Sequence, residues 1–70
     1  MVTFAEYLRI VRQVKGWTIR EVERRSGISN AYICQLENGK TNPTIVMLKK
    51  LAEVYEIKTE TLFIEAARRR

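Results

Sequence analysis

Apolar residues recur along this chain at every third or fourth position, in runs separated by short polar or glycine-containing stretches. Phe4, Tyr7, Leu8, Val11 and Val14 form the first run, and that spacing predicts one buried face of a helix. Thr3 followed by Glu6 is a capping-box pair that would start it, and Gly16 would stop it. Thr18 and Glu21 repeat the box, with Trp17 and Val22 placed as a flanking hydrophobic staple, so a second helix is expected over about residues 19–25. Gly27 can end that helix in the left-handed conformation, and Ser29 immediately offers a new N-cap, with Ile28 and Ile33 as its staple. The third helix would bury Ile33 and Leu36 and end at Asn38-Gly39. Thr44 caps a fourth, whose expected buried stripe is Ile45, Leu48, Leu51, Ala52 and Tyr55. A last short helix around residues 59–67 would pack Leu62 and Phe63, with Ile57 in the connection before it.

No β-type alternation persists and no internal repeat is present, so the predicted class is all-α with five helices. Helices this short are unstable alone in water, which makes a small orthogonal bundle the expected packing. Seventy residues with 46% apolar content suit one domain, assigned to residues 1–67, followed by a basic tail at 68–70. The one cysteine permits neither an intrachain disulfide framework nor a Cys/His zinc cluster, and the chain suits a reducing cytoplasm. No apolar run approaches the roughly 20 residues of a membrane span, and the N-terminus lacks a signal-peptide pattern. With no His and no Asp, a Ser-His-Asp triad and a histidine base are both excluded, and no glycine-rich phosphate loop is present. The expectation is therefore a protein that is not an enzyme, with no cofactor, no metal and no evident small-molecule ligand.

A net charge of +5 favours an anionic partner such as nucleic acid. Arg68, Arg69 and Arg70 carry three of those charges, however, and leave only +2 on residues 1–67. Position therefore matters more than total. The third helix places Asn30, Ala31, Cys34 and Gln35 on the side away from Ile33 and Leu36, which is the pattern of a helix held by one face and read by the other.

Two short helices around a tight glycine turn form a helix-turn-helix, and the likeness extends further. Residues 4–64 resemble the lambda-repressor-like (Cro/XRE) family of DNA-binding domains. The resemblance rests on LRIVRQVKGWT (8–18), REVERRSGIS (20–29), AYICQLENGKTNPT (31–44) and LKKLAEVYEI (48–57), in the family's order and spacing. It implies a compact five-helix fold that binds double-stranded DNA, with the helix starting at Asn30 in the major groove. By the same resemblance, Asn30, Ala31, Cys34 and Gln35 match base-reading positions. Asn and Gln can pair bidentately with adenine, and Ala31 can touch a thymine methyl. Ser29, Asn38, Lys40, Thr41 and Asn42 match positions that grip the DNA backbone. Many members place Gln where this chain has Ile19, so Thr18 or Arg20 would have to supply that phosphate anchor. Arg12 and Glu37 match a partly buried structural ion pair. Glu23 stands where the motif prefers a small residue, and its carboxylate is expected to reach solvent or an arginine such as Arg9, Arg20 or Arg24.

The function this implies is a sequence-specific transcriptional regulator, a repressor bound to a palindromic operator as a homodimer. Ile10, Met47, Val54 and Ile64 look exposed on the pattern, and those on the last two helices form a candidate dimer surface. An antitoxin, a restriction–modification controller or a protein-interaction module on the same fold are the alternatives. Cys34 reads as a small half-buried side chain rather than a reactive thiol, and Lys49 and Lys50 as a solvated face. Tyr32 can either cover the core edge or reach a phosphate.

Overall fold

The five predicted helices form where their caps place them. The structure, a computed structural model, describes residues 2–68. In chain order the helices are α1 (Phe4–Lys15), α2 (Ile19–Ser26), α3 (Asn30–Glu37), α4 (Ile45–Tyr55) and α5 (Thr59–Arg68), and there is no strand among the described residues.

At the start of α1 the capping box is complete. The Thr3 hydroxyl accepts from the Glu6 N–H at 3.2 Å, and the Glu6 carboxylate accepts from the Thr3 N–H at 3.3 Å. The Thr3 N–H foremost, and then the Thr3 hydroxyl donating to the same carboxylate at 3.1 Å, hold the Glu6 carboxyl below its ordinary pKa. The second box closes on one side only. Thr18 accepts from the Glu21 N–H at 3.1 Å, but the Glu21 carboxylate turns away to Arg24 and Arg25. Charge-assisted bonds to two guanidinium groups outcompete a neutral backbone N–H.

Phe4, Leu8, Val22, Ile28, Ile33, Leu36, Leu48, Leu51, Ala52, Tyr55 and Leu62 form one core. α3 packs against both α1 and α2, while α4 and α5 close the other side. Two residues expected in the core lie outside it. Val14 is 79% exposed, because the buried stripe of α1 runs through Phe4 and Leu8 and Val14 falls about a third of a turn around from Leu8, past the core's edge. Ile45 is 63% exposed, because it opens α4 a turn before Leu48, the first residue of that helix to be buried. The tail expected from residue 68 starts within α5. Arg68 is the helix's last residue and lies 3.6 Å from Glu65, whereas Arg69 and Arg70 lie outside the described residues.

Candidate nucleic-acid interface

The turn between α2 and α3 consists of Gly27, Ile28 and Ser29. Gly27 takes φ +75°, a conformation in which a side chain would be strained, and its N–H bonds the Glu23 carbonyl. The Ser26 hydroxyl donates to the Val22 carbonyl at 2.6 Å and accepts from the Ile28 N–H at 3.0 Å, so one side chain ties the end of α2 to the turn. Ile28 is then driven into the core, and the Ser29 hydroxyl accepts from the Tyr32 N–H at 3.2 Å to cap α3. Glu23 is half-exposed, and its side chain finds a backbone partner rather than one of the arginines expected for it. Its carboxylate accepts from the Asn30 N–H at 2.9 Å, which satisfies an otherwise orphaned donor at the positive end of α3. The carboxylate therefore has a partner without needing an arginine.

α3 is fixed at its other end by α1. Glu37, only 4% exposed, accepts from Arg12 through both oxygens: Nε to Oε2 at 2.8 Å and Nη2 to Oε1 at 3.0 Å. Arg12 spends its remaining arm on the Trp17 carbonyl at 2.9 Å. The hydrogen bonds to Glu37 raise the pKa of the guanidinium, against the opposing effect of burial. Arg9 donates to the Glu37 carbonyl at 2.8 Å and to Asn38 Oδ1 at 3.2 Å, closing the end of the helix. The positive φ expected at Asn38-Gly39 falls on Gly39 at +71°, while Asn38 stays at −102°. Sequence reasoning missed this role of Arg9 and the roles of Ser26 and Glu23. Only Ser26, a turn-forming residue just before a glycine, carried a local signal.

Between these two anchors α3 exposes Asn30, Ala31 and Gln35, with Cys34 half-buried beside them. The Cys34 Sγ lies 3.6 Å from Asn30 Oδ1. Ser29, Asn38, Lys40 and Asn42 are exposed around this face and Thr41 is half-buried. Tyr32 is half-buried against the core, with its hydroxyl 3.5 Å from the Asn42 carbonyl, so it spans from α3 to the following loop. Thr18 and Arg20 are exposed at the start of α2. Arg20 and Lys40 enter no ion pair among the described residues. Arg24 and Arg25 do not share that freedom. Both bind Glu21, whose carboxyl they hold below its ordinary pKa, and Arg25 also lies over the Trp17 ring at 4.2 Å.

The candidate dimer surface is altered. Met47 packs against the core and Val54 is half-buried, so of the three residues only Ile64, at 54%, is largely exposed. Ile45 and Val46 are exposed at the start of α4 instead.

No helix among the described residues is long and apolar enough to cross a membrane, and no group of His, Cys, Asp or Glu among them could hold a metal ion. Comparison with known proteins identifies the frame. Residues 8–62 match the helix-turn-helix family model. The chain is 49% identical over 43 residues to an uncharacterised HTH-type transcriptional regulator, y4dJ, of Sinorhizobium fredii, covering 61% of this chain and 56% of that one. It is 39% identical over 67 residues to the HTH-type transcriptional repressor RghR of Bacillus subtilis, covering 94% of this chain and 50% of the relative. To the HTH-type transcriptional regulator SinR of Bacillus subtilis it is 33% identical over 55 residues, covering 77% and 50%. The chain thus spans about half the length of these relatives. With the turn, the caps and the core arranged as described, the chain belongs to the Cro/XRE-type helix-turn-helix family.

Proposed function

We propose that this chain is the DNA-binding unit of a transcriptional regulator that reads double-stranded DNA in the major groove with α3. The observation that carries this reading is the two-sided character of α3. Ile33, Leu36 and Glu37 are buried and both ends of the helix are tied down, while Asn30, Ala31 and Gln35 face outward with side chains able to contact base edges. Asn30, Ala31 and Gln35 are the proposed base readers, with half-buried Cys34, the fourth position expected to read a base, beside Asn30 on the same face. Thr18, Arg20, Ser29, Asn38, Lys40, Thr41 and Asn42 are the proposed backbone contacts. The hydroxyl oxygens of Thr18 and Ser29 already accept helix-capping bonds, but each hydroxyl hydrogen can still be donated to a phosphate.

Action as a repressor is supported by the likeness to RghR, a transcriptional repressor by name. Homodimerisation on a palindromic site is part of the same reading, and exposed Ile64 is the apolar contact proposed for it. Two-fold symmetry would set the recognition helices about 34 Å apart, one turn of DNA. The test is a binding selection on randomised duplexes, followed by titration of the enriched and a scrambled duplex at two salt concentrations. The expected result is a palindromic site bound about 10³-fold or more above the scrambled one, with that preference reduced by Gln35→Ala. Weak binding that disappears with salt and ignores the substitution would overturn the reading in favour of a protein-interaction module.

A further inference from the structure

The two asparagines at the ends of α3 are held by their carbonyl oxygens. Asn38 Oδ1 accepts from Arg9 at 3.2 Å, and because a guanidinium is only a donor, the amide orientation is fixed with Nδ2 turned away from Arg9. At the other end Asn30 Oδ1 faces the Cys34 thiol at 3.6 Å, one helical turn on. A thiol is a weak donor and a weak acceptor, and here it meets the one amide atom that can only accept. The Asn30 backbone is fixed separately, by the bond from its N–H to Glu23 at 2.9 Å.

This arrangement bears on which base Asn30 can read. Bidentate recognition of adenine requires an asparagine to accept from N6 and donate to N7, so it needs both Oδ1 and Nδ2 at the base edge. With Oδ1 directed back toward Cys34, the Asn30 amide leads with its two N–H hydrogens. Guanine presents two acceptors side by side in the major groove, N7 and O6, and is the base edge that matches a pure donor.

We propose that Asn30 reads guanine rather than adenine, and that Cys34 is the positioning residue that sets this preference by holding the Asn30 carbonyl oxygen. The inference rests on α3 being the helix that enters the major groove, and it replaces the adenine contact expected from the sequence. Cys34 touches no base in this account. It acts through Asn30.

The experiment is the randomised-duplex selection carried out on the full chain as wild type, Asn30→Ala, Gln35→Ala and Cys34→Ala, followed by titration of duplexes varied at single positions. The base pair read by Asn30 is the one at which Asn30→Ala flattens the preference. The wild type should prefer guanine there by about fivefold or more over adenine. Replacing that guanine with 7-deazaguanine, which lacks the N7 acceptor, should lower affinity by a similar factor. Cys34→Ala, in a half-buried position of a helix where alanine is well tolerated, should shift the preference at that one pair toward adenine and leave the other positions unchanged. A structural defect would weaken every duplex alike. Adenine at that pair in the wild type, no pair flattened by Asn30→Ala, or a guanine preference untouched by Cys34→Ala would each overturn the proposal. Failure of the underlying reading looks different, since no site would then be enriched and Gln35→Ala would change nothing.

Discussion

Arg12→Met should cost this domain about 3 kcal/mol, and the reason lies in what the substitution leaves behind. Glu37 is 4% exposed and its two oxygens are both satisfied by Arg12, whose own side chain is 14% exposed. Removing the guanidinium leaves a buried carboxylate whose nearest remaining cation is Arg9, with Nε 4.0 Å from Oε1. Breaking one partner of a buried pair costs about 3–5 kcal/mol, and the lower end applies here because Arg9 can move in to compensate in part. A domain of this length is stable by only about 4–10 kcal/mol in total. At roughly 4–8 °C per kcal/mol, the midpoint of thermal unfolding should fall by about 12–24 °C.

The companion variant Arg12→Met/Glu37→Met separates charge burial from packing. Replacing a buried ion pair by apolar side chains of similar volume is often close to neutral. The Trp17 carbonyl loses its Arg12 donor in both variants, at about 1 kcal/mol. Arg9 keeps its bond to the Glu37 backbone carbonyl in both. The double variant should therefore recover roughly 2 of the 3 kcal/mol. Urea and thermal unfolding followed by circular dichroism at neutral pH measure both numbers. If Arg12→Met costs under about 1 kcal/mol, or if the double variant is as unstable as the two single changes added together, the pair is not what holds α3 to α1.

Four further outcomes are expected. Leu62 is fully buried, so Leu62→Ala should lower the free energy of unfolding by about 2–5 kcal/mol in urea titration, and a loss below 1 kcal/mol would mean that α5 does not belong to the same cooperative core. The Tyr55 phenol is pushed up to about 12, first by burial and then by the Glu37 charge, against Arg12. A folded-state pKa raised above the unfolded value gives stability that is whole below about pH 10 and is lost as pH rises toward 12, here roughly 2–3 kcal/mol, a slope that Tyr55→Phe should flatten in unfolding measured across that range. Glu23→Ala should cost about 1 kcal/mol by uncapping the Asn30 N–H, whereas Glu23→Gln, which keeps an acceptor, should restore most of it; equal losses in urea would contradict the bond. In the salt dependence of DNA affinity, Lys40→Gln should reduce the log–log slope by about 1 and Arg24→Gln should leave it nearly unchanged, because Arg24 is tied to Glu21 and is not among the proposed phosphate contacts.

The caps were legible in the sequence because a cap is a local event. Thr3, Thr18, Ser29 and Thr44 each act on an N–H three residues ahead, and a short polar residue before an apolar run announces it. The apolar period was legible for direction but not for extent. It shows which side of α1 is buried, not that the core ends before Val14, since that limit is set by neighbouring helices. The contacts that fix the candidate reading helix were the least visible. Glu23 reaches a backbone N–H seven residues on, and Arg9 reaches across 29 positions to Asn38, so neither spacing belongs to any local pattern.

The cations tied up within this fold and those proposed for phosphate contact are different residues, and this bears on how discrimination can arise. Arg9 and Arg12 are engaged with Glu37 and Asn38, Arg24 and Arg25 with Glu21, and Lys15 with Glu56. Arg20 and Lys40, which belong to no ion pair among the described residues, stand at the start of α2 and just beyond α3. Glu23 meanwhile sets a negative charge at the very end of α3 that would otherwise attract phosphate without regard to sequence. Nonspecific binding is almost wholly electrostatic, so a face with few free cations and a carboxylate at its helix start is weak toward random DNA. On the proposed function, affinity for a particular site would come from short-range contacts at Asn30, Ala31 and Gln35. Weakening the background raises the ratio of specific to nonspecific binding as effectively as strengthening the contacts would.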